Sequence, residues 1–173
     1  MEDAKKGNYA LGVKLVRGAY QPYEVEAHAK RHLRSNLSTT KYLSISPEED
    51  PPVFTEKEHT DAAYTKCVRL LIDGIHDDIQ SSSAPPSKWN LTTSKSTLPK
   101  LGLLFGTHNW HSCDTILNEL VSKGLATLNS DGSVEIGSNV AERVTIAQLY
   151  GMSDALTNSL VERTKSPVPV VMK

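Results

Sequence analysis

The sequence has almost no cysteine, few aromatic residues, no excess of either charge and no long apolar run. Its two thiols, Cys67 and Cys113, lie far apart and without paired spacing, which excludes a disulfide framework or a zinc ribbon and predicts two buried, reduced side chains. With 19 Lys and Arg against 20 Asp and Glu, the formal charge is −1. That balance gives no electrostatic footprint for a nucleic-acid partner. No stretch reaches the roughly 20 apolar residues that a spanning helix needs, so a soluble or peripheral protein is expected. The opening Met1-Glu2-Asp3-Ala4-Lys5-Lys6 carries acids at once and has no apolar centre, unlike a secretory signal or an Arg-rich transit peptide.

What is present is enough for one ordinary core in 173 residues, as one domain or a piece of one. The hydrophobic share is 38%, and two polar stretches, 34–52 and 80–100, account for its being low. Leu11 to Val16 is an apolar, β-branched run of the length of a buried strand, with Lys14 as its oddity. A weakly amphipathic helix is expected over Tyr23 to Leu33. From Tyr64 through Cys67, Val68, Leu71, Ile72 and Ile75 to Ile79, apolar residues recur at steps of three and four, the mark of a helix with one buried stripe. Thr55 to Glu58 has capping-box spacing, Thr60-Asp61 is an equal candidate start, and the helix should end before Ser81-Ser82-Ser83.

A second strand is expected at Leu101 to Phe105, then a helix with Ile116, Leu117, Leu120 and Val121 on one side and Gly124 at its end. Val134 to Ile136 follows an Asp131-Gly132 turn, Val144 to Leu149 reads as a third strand, and Ser153 is expected to cap a helix that turns Ala155, Leu156 and Leu160 inward. A fourth strand starts near Pro167. Strands alternating with helices predict an α/β fold with parallel strands, as either a doubly wound sheet or a (βα) barrel. In both designs the carboxyl ends of the strands hold the site. There the sequence places Arg17-Gly18-Ala19-Tyr20, Thr107-His108-Asn109 and Leu149-Tyr150-Gly151.

Lys14 to Tyr20 reads as an electropositive strand end with a glycine that lets backbone approach a ligand. The plain alternative is a strand whose cations reach solvent. His108 to Cys113 has the residue types of a metal site, but one short segment supplies them all, so no metal is expected.

The segment Lys14-Leu15-Val16-Arg17-Gly18-Ala19-Tyr20 resembles the fifth-strand signature of proline dehydrogenases, and Phe105-Gly106-Thr107-His108-Asn109 is similar to their sixth-strand flavin motif. Val140 to Asp154 resembles their seventh-strand region, and Pro52 to Lys57 with Thr60 to Tyr64 adds a fourth match. The resemblance implies a partial (βα)8 TIM-like barrel over 1–173, from the fifth strand to the start of the eighth, with crossover helices and two polar insertions. It also implies an FAD enzyme that moves a hydride from the carbon beside the nitrogen of L-proline, yields pyrroline-5-carboxylate and passes electrons to a quinone. A mitochondrial location and a peripheral inner-membrane contact come with the family alone.

Residue by residue, the resemblance puts Lys14 beside the reactive flavin nitrogen, where a cation favours a reduced, anionic ring. Val16, Arg17 and Gly18 would hold the cofactor by backbone and charge, Thr107, His108 and Asn109 its pyrophosphate and ribose region, and Thr55 and Lys57 a further stretch. Tyr20, placed on the face of Val16 by strand alternation, and Leu149 would line the proline pocket. Bacterial members carry arginine where this chain has Lys14 and lysine where it has Arg17, cations that differ as donors. The earlier strands and the arginine pair that would grip a carboxylate have no match here. The 173-residue chain alone is therefore expected to be inactive, a fragment of an active enzyme or a truncated barrel that at most binds flavin or a partner.

Overall fold

A computed structural model of the chain describes residues 1–33, 44–46, 48, 50–83 and 101–172. A short helix, α1 (Glu2–Gly7), leads into strand β1 (Leu11–Val16). Along β1 exposure alternates, so Leu11, Val13 and Leu15 pack on the core while Gly12, Lys14 and Val16 turn the other way. Helix α2 (Gln21–Leu33) follows a tight turn in which Gly18 has φ 68°, a conformation glycine adopts without a Cβ penalty. Two helices then form the centre: the long α3 (Lys57–Ser83) and, after strand β2 (Leu101–Gly106), the shorter α4 (Trp110–Ser122).

The remaining elements are β3 (Ala126–Leu128), β4 (Val134–Ile136), α5 (Ser138–Ala141), β5 (Val144–Ala147), α6 (Asp154–Arg163), β6 (Thr164–Lys165) and β7 (Val171–Met172). Four strands form one sheet in the order β1-β2-β5-β7, every neighbour parallel, with Lys14 opposite Leu104 and Leu104 opposite Thr145. Parallel neighbours need crossover connections, and α3, α4 and α6 lie between successive strands of this sheet in the chain. The α/β class predicted from the alternating pattern is the one observed.

The core is built on one face of that sheet. Leu101, Leu103 and Phe105 of β2 and Val144 and Ile146 of β5 are buried against Val68, Ile72 and Ile75 of α3, Ile116, Leu117 and Leu120 of α4, and Leu156 and Leu160 of α6. Each such side chain contributes about 1.5–3 kcal/mol on leaving water. No helix among the described residues is long and apolar enough to cross a membrane.

Several expectations need correction. Helix α3 runs through Ser83, past the serine run that was expected to lie beyond it: the Ser81 hydroxyl donates to the Asp77 carbonyl one turn back (2.7 Å), so its polarity is absorbed within the helix. The polar stretch assigned to 80–100 therefore begins as helix, and 84–100 lies outside the described residues. A second sheet, β3-β4-β6, with β3 and β4 antiparallel, was not foreseen. Strand β5 stops at Ala147, Ser153 sits at the start of α6 without a side-chain cap bond, and Ala155 is exposed. Cys113 is buried as expected but Cys67 only partly so. His28 is buried, and its Nε2 lies 2.7 Å from the Ser44 hydroxyl.

Candidate functional site

Backbone hydrogen bonds carry the ladder past the ends of the strands. Arg17 N–H donates to the Gly106 carbonyl (3.0 Å), Thr107 N–H to Ala147 (3.2 Å) and Gln148 N–H to Met172 (3.0 Å). The turns after β1, β2 and β5 are thereby held side by side along one rim. Leu149 N–H reaches across the rim to Nε2 of His108 (3.4 Å). Three of the candidate segments are thus brought together, although 86 residues lie between Tyr20 and Thr107 in sequence.

Lys14 is exposed on the sheet face away from the helices, and it makes no ion pair among the described residues. Beside it in register are Leu104 and Thr145, and one layer toward the rim are Val16, Gly106 and Ala147. Among the described residues this surface is mainly apolar, with Lys14 as a cation that makes no ion pair. Val16 (42% exposed), Leu149 (66%) and Met172 (54%) extend it to the rim.

Arg17 points to the opposite, helix side. Its Nη2 donates to Oδ1 of Asp61 on α3, and the other carboxylate oxygen of Asp61 accepts from Lys57 Nζ. The two candidate cations share one carboxylate, so about one positive charge is left uncompensated. Arg17 Nε is buried with no acceptor among the described residues. Beside it opens a cleft of about 250 Å³ lined by Val16, Gly18, Gln21, Val53, Phe54 and Tyr64 among others. Tyr64 is 4% exposed and its hydroxyl also lacks a partner among the described residues. Burial holds the Tyr64 phenol well above its ordinary range, with the Cys113 thiol adding to the effect. Burial, helped by Asp114, pushes the Cys113 thiol up to about 12. Thr55 is exposed ahead of α3.

Thr107, His108 and Asn109 form the turn into α4. Asn109 is the N-cap, its Oδ1 accepting from Ser112 N–H (2.9 Å), and its own N–H donates to Thr107 Oγ1 (3.1 Å). Because His108 Nε2 accepts from Leu149 N–H, the ring proton sits on Nδ1, and that atom is buried without an acceptor among the described residues.

Tyr20 requires a correction. It does not continue the β1 alternation, because the strand ends at Val16 and the chain turns; Tyr20 itself has φ 63° and is 72% exposed. Leu149 and Tyr150 likewise stand out from the rim into solvent. Sequence reasoning missed Asp61, Gln148 and Thr157. The sequence offers Asp61 as a candidate helix start, and its four-residue step from Lys57 was the signal for an ion pair. Gln148 continues the buried parity of Val144 and Ile146, and a polar residue at an inward position was the signal to follow. Among the described residues no group of acidic, histidine and cysteine side chains has a metal-binding arrangement.

Neither a curated protein nor a solved structure matches the chain. The sequence profile of the proline dehydrogenase family matches residues 45–172. The match takes in α3, β2, β5, β7 and the candidate residues Thr107, His108, Asn109 and Leu149; β1 lies outside it but is hydrogen-bonded in register to β2. With most of its length covered by that profile, the chain belongs to the proline dehydrogenase family.

Proposed function

We propose that the chain is the carboxyl-terminal half of a (βα)8 proline dehydrogenase barrel, whose rim binds FAD and L-proline. The observation that supports this most directly is the His108–Leu149 hydrogen bond across the rim, which sets a cofactor-motif residue against a substrate-pocket residue. Family membership stands behind oxidoreductase chemistry in proline metabolism. FAD, when bound, supplies the acceptor for the hydride that leaves the carbon next to the proline nitrogen, with a quinone as the final electron sink.

The residues present fit such a group. The Nδ1–H of His108 and the Nε–H of Arg17 are buried donors lacking acceptors among the described residues, and a diphosphate or ribose offers acceptors. The sheet face around Lys14 carries apolar neighbours such as Val16 and Leu104, and the Lys14 cation favours negative charge placed there. Thr107 and Asn109 fix the turn that carries His108, while Val16 and Gly18 leave backbone accessible beside it. Lys57 and Thr55 lie toward α3, near the cleft rather than the open face. Tyr20 and Leu149 are exposed where a small amino acid can pack. A mitochondrial site with peripheral contact to the inner membrane completes the proposal.

The complete barrel is expected to contribute the remaining contacts to the amino acid, above all the guanidinium pair for its carboxylate. The 173-residue chain should accordingly quench FAD fluorescence on mixing yet show no proline-dependent dye reduction. Measurable reduction would show that these four strands suffice for turnover. Absence of any flavin binding, with the fold intact by circular dichroism, would remove the cofactor assignment. The reading of a flavin-binding domain without turnover draws its support from the sheet itself, which among the described residues has β1 and β7 as open edges.

A further inference from the structure

Gln148 has no role in the site described so far, yet it is only 5% exposed and lies among three of the site's supports. Its backbone N–H donates to Met172 of β7 (3.0 Å). Its side-chain Nε2 donates to the Thr107 carbonyl (3.2 Å), and its Oε1 accepts from Thr157 Oγ1 of α6 (3.0 Å). Thr107 and Thr157 are themselves buried. The next residue, Leu149, grips His108, which follows Thr107. The turns after β2 and β5 are therefore joined twice, once through a buried amide and once through the imidazole.

A core filler at this position would be apolar. Val144 and Ile146 share the inward parity of Gln148 and are almost fully buried, and an amide in such a place costs free energy unless its donor and acceptor are both used. Here both are used, and each joins a different element. The planar amide has a fixed span, so it sets the distance from the β5 turn to the Thr107 carbonyl. The Thr157 hydroxyl lies 3.0 Å from both Gln148 Oε1 and the Ser153 carbonyl, which anchors the amide to the first turn of α6.

We propose that Gln148 is a positioning residue for the rim, with Thr157 as its support: the bridge from β5 to the Thr107 carbonyl orients the His108 imidazole and the Leu149 backbone toward the ligand. The ligand is the flavin of the preceding reading, but the positioning is a property of the ligand-free chain and is tested separately.

The test uses the 173-residue chain and its Gln148→Leu, Thr157→Val and Thr157→Ser variants. The ring nitrogens of His108, assigned with His108→Gln, are observed by nitrogen NMR without ligand, and FAD affinity is measured by fluorescence. The parent should show one protonated and one bare ring nitrogen. Gln148→Leu and Thr157→Val should shift both signals toward averaged tautomers and weaken FAD about tenfold, whereas Thr157→Ser, which keeps the hydroxyl, should preserve both readouts. Should Gln148→Leu fail to fold, Thr157→Val, one bond further from the rim, carries the test. A folded Gln148→Leu or Thr157→Val chain with parental His108 signals overturns the proposal. Failure of the parent to bind FAD overturns the flavin reading alone, because the imidazole signals still decide the role of Gln148.

Discussion

Tyr20 is the one residue of the rim that holds a left-handed backbone without being glycine, at φ 63°. For an L side chain that conformation costs on the order of 1 kcal/mol. Tyr20→Gly should therefore raise the unfolding free energy by about 1 kcal/mol, read as a higher urea midpoint at unchanged slope, while removing the exposed ring expected to face proline. An unchanged or lower midpoint would mean that the ring makes contacts that offset the backbone cost. At this scale the sequence was informative where chemistry is local. The apolar run of β1 and its stop at Arg17-Gly18 were legible, but the run predicts a buried strand with Lys14 as an oddity, whereas exposure alternates along it and Lys14 faces away from the core. The sequence was uninformative about Arg17, whose partner Asp61 is 44 residues away and reaches it only because α3 docks across the end of β1. Tyr20 was misplaced for a related reason: alternation has meaning only while the strand lasts.

Helices announced themselves best among the elements. The apolar stripes of α3 and α4 follow the three- and four-residue period and are the faces that the core buries. Short elements were not legible: α1 spans six residues and β3 three, too few for a period to show. One cross-element contact was equally hidden. Arg143, entering β5, donates to Asp78 of α3 (2.7 Å), and both side chains are 9% exposed. A pair so buried gains little over apolar residues of the same size, yet losing one partner removes much of what compensates the other's charge. Arg143→Met is expected to cost on the order of 3 kcal/mol, and Arg143→Met with Asp78→Leu to regain part of that loss, as thermal or denaturant unfolding would report. Additive losses would refute the account.

At the scale of the whole molecule, the parallel order was readable from alternating strands and helices, whereas the partition of the seven strands among the described residues into two sheets was not, because pairing across long intervals leaves no local trace. The main sheet buries one face and, among the described residues, has β1 and β7 at its margins. Margins and faces of this kind associate. The isolated chain is expected to sediment as concentration-dependent oligomers, and Leu104→Lys, which charges the open face, to shift it toward monomer. A single monomeric species at all concentrations for the parent chain would contradict this. Helix α3 adds a constraint of length. Gly74 lies level with the start of β2, since a Cβ built on it would come 3.0 Å from the Leu101 side chain. Residues 75–83 therefore continue past the level of Leu101 by about 13 Å along the helix axis at 1.5 Å per residue, with Asp78 still within reach of Arg143 at the entry of β5. Extended chain covers that return in roughly four or five residues, with a few more for the sideways step to β2. The 84–100 connection is thus about twice as long as its span requires, so excising half of it should leave the melting temperature nearly unchanged, while trimming it to three or four residues should unwind the last turns of α3.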